Sequence, residues 1–94
     1  MVRHVVMWKF RPEEQARKRQ FLDGLRGLYG VIEEIRHIEV KEAVPGTEGY
    51  DAILLVDFDN IDDLRAYRVD PRHKAVAAIC KEIRTDRASV DYEL

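Results

Sequence analysis

Cysteine is nearly missing from this chain: Cys80 is the only one in 94 residues. A lone thiol excludes an internal disulfide, so packing alone must hold the fold, and a reducing compartment is the simpler expectation. Three prolines and five glycines are too few for a linker or a low-complexity tract. No repeat divides the chain, so a single domain spanning 1–94 is expected, with no boundary inside it. Neither sign of charge dominates. Sixteen Lys and Arg against 18 Asp and Glu leave a formal net charge of −2, which argues against the basic surface that binding a nucleic-acid backbone requires. The one basic run, Arg17-Lys18-Arg19, reads as a solvated helix face. No apolar run approaches the roughly 20 residues of a membrane span, and a strand-like pattern begins directly after Met1, leaving no room for a signal peptide. A cytoplasmic protein with no membrane partner is the expectation.

What is present is apolar patterning of two periods. From Val2 to Phe10, His4, Val6, Trp8 and Phe10 alternate with Val5 and Met7, so both faces are apolar and a central strand is expected. Pro12 opens a helix carrying Phe21, Leu22, Leu25, Leu28, Tyr29 and Ile32, with Gly30 as its expected stop. Gly24 and Gly27 weaken that helix and allow it to pack closely. Ile35 to Val44 reads as an edge strand with Ile38 and Val40 inward, closed by Pro45-Gly46. Tyr50 to Phe58 is again apolar on both faces, with Ala52, Leu54, Val56 and Phe58 opposed to Ile53 and Leu55. Asn60 caps a short helical turn bearing Ile61, Leu64 and Tyr67. A helix from Asp70-Pro71 to about Arg84 follows, with Val76, Ile79, Cys80 and Ile83 inward. Ala88, Val90, Tyr92 and Leu94 then alternate with Arg87, Ser89, Asp91 and Glu93 in a last strand.

The order β-α-β-β-α-β with right-handed crossovers is a ferredoxin-like α+β fold, a four-stranded antiparallel sheet with the first and third strands central and the helices on one face. Helices cover only one side, so Val5, Met7, Ile53 and Leu55 would be wet in a monomer. A second copy packed sheet to sheet would cover them, giving a homodimer in the form of a dimeric α+β barrel.

Chemistry is concentrated in Tyr67-Arg-Val-Asp-Pro-Arg-His73. Asp70 is placed as the N-cap of a helix, Pro71 as its first residue and His73 at its third position. Unpaired backbone N–H groups and the helix dipole disfavour added positive charge there, so His73 should stay neutral and able to accept a proton. His73 shares the inward stripe of Val76 and Cys80, and His4 shares the strand face of Val6, Trp8 and Phe10. His4 and His73 are thus expected to border one cleft, with Tyr67 at its rim. Each has a plainer reading as well: a packed imidazole for the two histidines, a buried phenol with one hydrogen bond for Tyr67. Cys80, mid-helix on an apolar face, is a poor nucleophile. His37, beside Glu39 and Lys41, is expected to be exposed. Asp70 and His73 alone do not complete a metal site.

These residues resemble the Dabb family, the stress-responsive dimeric α+β barrel domains, over nearly the whole chain. Arg3-His4-Val5-Val6-Met7-Trp8-Lys9-Phe10 is similar to the family's opening strand. Leu54-Leu55-Val56-Asp57-Phe58, Leu64-Arg-Ala-Tyr67 and Asp70-Pro71-Arg72-His73 are similar to its strand-turn-helix signature, and Asp91-Tyr92 to its last strand. The resemblance implies a pocket for a small carbonyl or aromatic ligand and cofactor-free chemistry of the polyketide-cyclase or isomerase kind. It implies His73 as the base, Tyr67 as the group that polarises the substrate and His4 as a pocket histidine. Two positions depart from the pattern: Asp70 stands for the first histidine of His-Pro-x-His, and Ala52 for a pocket histidine on the third strand. These departures leave room for a non-catalytic, stress-linked binding or dimerisation module. The wider class of dimeric α+β barrels adds haem or quinone oxidation as a remoter alternative.

Overall fold

The computed structural model describes all 94 residues, Met1–Leu94. Four strands, β1 (Val2–Phe10), β2 (His37–Glu42), β3 (Ala52–Phe58) and β4 (Arg84–Glu93), form one antiparallel sheet in the order β2-β3-β1-β4. Three helices, α1 (Gln15–Arg26), α2 (Ile61–Val69) and α3 (Pro71–Ile83), lie against one side. The two strands with apolar residues on both faces are the central pair, one face packed beneath the helices and the other forming the middle of the side that no helix covers.

Register decides what each face carries. On the helix side His4 lies between Val56 and Asp91, Val6 between Leu54 and Ser89, and Trp8 between Ala52 and Arg87. Val6, Trp8, Leu54, Val56 and Phe58 are buried there with Phe21, Leu22 and Leu25 of α1, Leu64 and Tyr67 of α2, and Cys80 and Ile83 of α3. Trp8 meets Phe21 edge-on, the ring centroids 5.0 Å apart. The other side has no helix. Val5, Met7, Ile53 and Leu55 are half-buried among their neighbours, and Val90 and Tyr92 of β4 are exposed beside them.

Several element ends differ from the expectations. The helix placed at Pro12 begins at Gln15, because Glu14 N–H bonds back to the Arg11 carbonyl (3.1 Å) and residues 12–14 are spent on that turn. It ends at Arg26 with Gly27 as its cap, not at Gly30. Leu28 and Ile32 keep helical spacing, but they enter the core from consecutive turns, and Gly30 makes the left-handed residue (φ 81°) between them. That conformation is costly for any residue with a Cβ. The edge strand is shorter than 35–44, and β3 starts at Ala52 rather than Tyr50. The turn after Asn60 is a full nine-residue helix, capped by Asn60 Oδ1 accepting from the Asp63 N–H (2.9 Å).

β4 starts at Arg84, three residues before the expected Arg87, so α3 passes into β4 with no connecting residue. Gly24 permits the close approach of α1 to α3: a Cβ there would lie 3.1 Å from a methyl of Val76. Of the Arg17-Lys18-Arg19 run, Arg19 is exposed, Arg17 is half-buried and paired to Glu82, and Lys18 is mostly covered and paired to Glu42. No helix is long and apolar enough to cross a membrane.

Candidate active site

Between α3 and the β1–β4 half of the sheet lies a cavity of about 500 Å³, within the range that small-molecule sites occupy. Its apolar lining is formed by Val6, Trp8, Phe21, Leu25, Leu54, Ala77 and Cys80. Trp8 and Phe21 therefore line the space rather than fill it. His4 and His73 both face it, one from the strand and one from the first turn of α3.

His4 is the better supported of the two imidazoles. Its Nδ1 lies 2.5 Å from Asp91 Oδ1, and the second oxygen of Asp91 accepts from Arg68 Nη2 at 2.9 Å. A carboxylate only accepts, so Nδ1 carries the hydrogen and the Nε2 lone pair is left free. Burial pushes His4 below its ordinary value, with Asp91 acting against that shift and the charges of Arg68 and Arg87 adding to it. The sequence assigns a site role to neither Asp91 nor Arg68. Alternation along β4 puts Arg87, Ser89 and Asp91 on one face, and that face meets His4 only because Asp91 is its partner in the β1–β4 register.

His73 sits at the third position of α3, as its sequence context implies. Burial pushes it below its ordinary value, the Arg68 backbone opposing and the charge of His4 adding. Its Nδ1 is buried without a hydrogen-bond partner. Tyr67 packs behind it with its ring tilted by 41°, ring centroids 4.2 Å apart, and is fully buried. The Tyr67 hydroxyl is the other buried side-chain polar atom without a partner, and burial holds its pKa well above the usual phenol value. Tyr67 is thus placed beneath the histidines, in contact with His73, and not at the rim. A buried polar atom left unpaired costs about 1–3 kcal/mol, and two such atoms on adjacent rings mark a place where packing was not the sole requirement.

Asp70 does not orient His73. Its Oδ1 accepts from the Arg72 N–H (2.8 Å), and the Arg72 guanidinium occupies both carboxylate oxygens and pulls the Asp70 pKa down to about 2. Asp70 is a helix cap. Asp70→Ala should lower the melting temperature by a few degrees while leaving ligand affinity at the cavity unchanged. A loss of affinity in a folded Asp70→Ala protein, read by titration calorimetry, would contradict that assignment. Cys80 lines the cavity, but burial pushes its thiol up to about 11, so it is no thiolate at neutral pH. His37 is exposed on β2, 3.5 Å from Glu39. Ala52 is buried beside Trp8 and offers the site no polar group.

Both cleft histidines bind a proton less readily folded than unfolded, where the ordinary value is 6.5. Below that pH the unfolded chain holds more protons, so stability is complete above about 6.5 and falls as the medium is acidified. Calorimetric melting at pH 7.5 and pH 5.5 should show a lower midpoint in acid, and His73→Gln should shrink the difference. Equal sensitivity in that variant would place the titrating groups elsewhere.

A four-stranded antiparallel sheet in this order with helices on one face defines a ferredoxin-like α+β fold, and the helix-side cleft with two histidines narrows the class further. Residues 2–94 match the family model of the stress responsive A/B barrel domain, Dabb, and the chain belongs to that family. A dimeric ferredoxin-like protein of unknown function from Bacteroides fragilis is 34% identical, superimposes with a TM-score of 0.91 and is matched over 99% of this chain and 95% of its own. A second dimeric ferredoxin-like protein of unknown function, from Thermobifida fusca, is 26% identical with a TM-score of 0.87, covering 99% and 90%. A hydroxynitrile lyase from Passiflora edulis shares the fold (TM-score 0.86, 99% and 92% covered) at only 14% identity. No protein of curated function matches the sequence significantly.

Proposed function

We propose that this Dabb protein is a homodimer with one small-molecule cleft per subunit, in which neutral imidazoles perform cofactor-free proton transfer on a carbonyl compound, as in a cyclisation or isomerisation. The observation that carries the reading is the chain Arg68–Asp91–His4 ending in the cavity. A base needs a group that fixes its tautomer and stabilises the cation it becomes, and Asp91 does both for His4. His73 has no such partner. The sequence suggested His73 as the base; the Asp91 contact gives His4 the stronger claim to that role.

In this mechanism His4 Nε2 removes the proton alpha to the carbonyl. His73, kept neutral by burial and its helix position, polarises the carbonyl oxygen at the developing enolate, while Tyr67, buried behind the imidazole and outside the cavity lining, positions the His73 ring and does not reach the ligand. That a hydroxynitrile lyase is built on the same fold supports the coarser reading of an enzyme-like small-molecule domain. The dimer is supported by the dimeric relatives and by the uncovered Val5, Met7, Ile53, Leu55, Val90 and Tyr92 face. A contiguous apolar surface of this kind marks an interaction site. The lone, buried thiol of Cys80 suits a reducing cytoplasm.

The test is exchange of alpha protons for deuterium in a panel of keto acids, followed by NMR. Exchange that depends on both His4 and His73 supports the mechanism. Exchange no faster than in buffer for every carbonyl offered, with ligand still bound in the cleft, would leave the second reading: a binding module, favoured by Ala52, which supplies no polar contact to the site.

A further inference from the structure

The residues around the cavity are at odds with the composition of the chain. Acidic side chains outnumber basic ones, 18 to 16, yet the cavity is lined by Arg68, Lys74, Lys81, Arg84 and Arg87 and by no Asp or Glu. Arg68 is engaged with Asp91. Lys74, Lys81 and Arg84 have no carboxylate partner, and the Arg87 side chain reaches only the Ser89 hydroxyl, at 3.4 Å. The nearby acids are turned away or engaged elsewhere: Glu82 with Arg17, and Asp86 with the Tyr50 hydroxyl.

The arrangement has a backbone cause. Pairing of β1 with β4 shifts register between Lys9 and Phe10, so that Lys9 opposes Asp86 while Phe10 opposes Arg84. Phe10 belongs to the helix-facing side, and the irregularity brings Arg84, rather than Thr85, onto that side with Arg87. Bulges are used to re-aim a side chain in this way. Burial pushes Arg87 below its ordinary value, with the charges of Arg84 and Arg68 adding to that shift.

Lys74 adjoins His73, whereas Lys81 and Arg84 lie toward the opposite end of the cavity, and Arg87 reaches from that end along the groove toward Ser89, its charge still felt at His4. Four residues of extended strand separate His4 from Trp8, the neighbour of Arg87, a run of roughly 13 Å. Eight residues of helix separate His73 from Lys81, roughly 12 Å. The wall between is Val6, Leu25, Leu54 and Ala77.

We propose that the cleft takes an amphipathic organic anion, an apolar chain of medium length ending in a carboxylate or phosphate. Lys81, Arg84 and Arg87 hold the headgroup, so that the other end of the chain reaches His4 and His73. This rests on the cleft being a ligand site, as proposed above, and names the class of ligand. An anionic anchor remote from the reacting carbon fixes the ligand lengthwise, which is how binding away from the chemistry is turned into orientation.

Titration calorimetry with octanoate, octyl phosphate and octanol tests it. At low salt one or both anions should bind at least tenfold more tightly than octanol, and the tighter of the two identifies the headgroup. The preference should weaken as salt is raised, because the cations are partly exposed. Arg84→Gln combined with Arg87→Gln should bring the anions to the affinity of octanol. Octanol binding as tightly as both anions to the unaltered protein would overturn the proposal, and so would a folded double variant that keeps the preference. The comparison on the unaltered protein decides the matter even if the double variant does not fold. These are binding measurements, so a missing anchor leaves the exchange assay untouched, and a protein inert toward every carbonyl can still show the anion preference.

Discussion

His4→Ala should lower the rate of alpha-proton exchange by about 10²- to 10⁴-fold, the usual contribution of a positioned general base, with little change in ligand affinity. Asp91→Asn separates a base from a pocket wall. Without the carboxylate the His4 tautomer is no longer enforced, and the charge that favours the imidazolium is lost, so the rate should fall as well. The direction of the pH effect follows from the same contact. Asp91 raises the His4 pKa against the lowering effect of burial, so its removal should move the acidic limb of the rate profile to lower pH. A profile that stays in place while the rate falls would assign Asp91 a packing role only. Full exchange activity in His4→Ala would remove His4 from the mechanism and return the base to His73.

The second large effect concerns the uncovered face of the sheet. Leu55 lies opposite Val5 at the middle of that face and takes no part in the buried core of the subunit. Leu55→Lys would bury an ammonium group in an apolar interface, a cost of several kcal/mol per subunit, while the helix-side packing stays intact. Light scattering on a sizing column should read twice 11.0 kDa, about 22 kDa, for the unaltered protein and 11.0 kDa for Leu55→Lys, with the circular dichroism spectrum preserved. An unaltered protein that elutes at the mass of one subunit would refute the dimer.

The fold could be read from the sequence wherever one pattern permitted only one structure. Residues apolar on both faces in Val2–Phe10 and Ala52–Phe58 could belong only to central strands, and Asp70-Pro71 could only begin a helix. Reading failed where a core residue came from a turn: Leu28 and Ile32 kept helical spacing and so extended α1 on paper beyond Arg26. It failed also at Arg84–Asp86, whose polar side chains give no sign of a strand.

The same limit governed the site. His4, Tyr67 and His73 were legible because their residue types and positions are unusual for packing alone. Asp91, Arg68 and Arg87 look like ordinary surface charge: the pairing of β1 with β4 brings Asp91 to His4 and Arg87 to the cavity, and α2 carries Arg68 to Asp91. The location of Tyr67 beneath the histidines depended on the angle at which α2 crosses the sheet, which no local spacing encodes.

Arg84 is both the last cap of α3 and the first residue of β4. The wall bearing His73 and the floor bearing Asp91 are therefore one uninterrupted piece of chain, with no slack between them to act as a hinge. Access then depends on the fixed mouth of the groove and not on a moving cover, so occupants should enter and leave at rates set by diffusion and affinity, without a slow opening step.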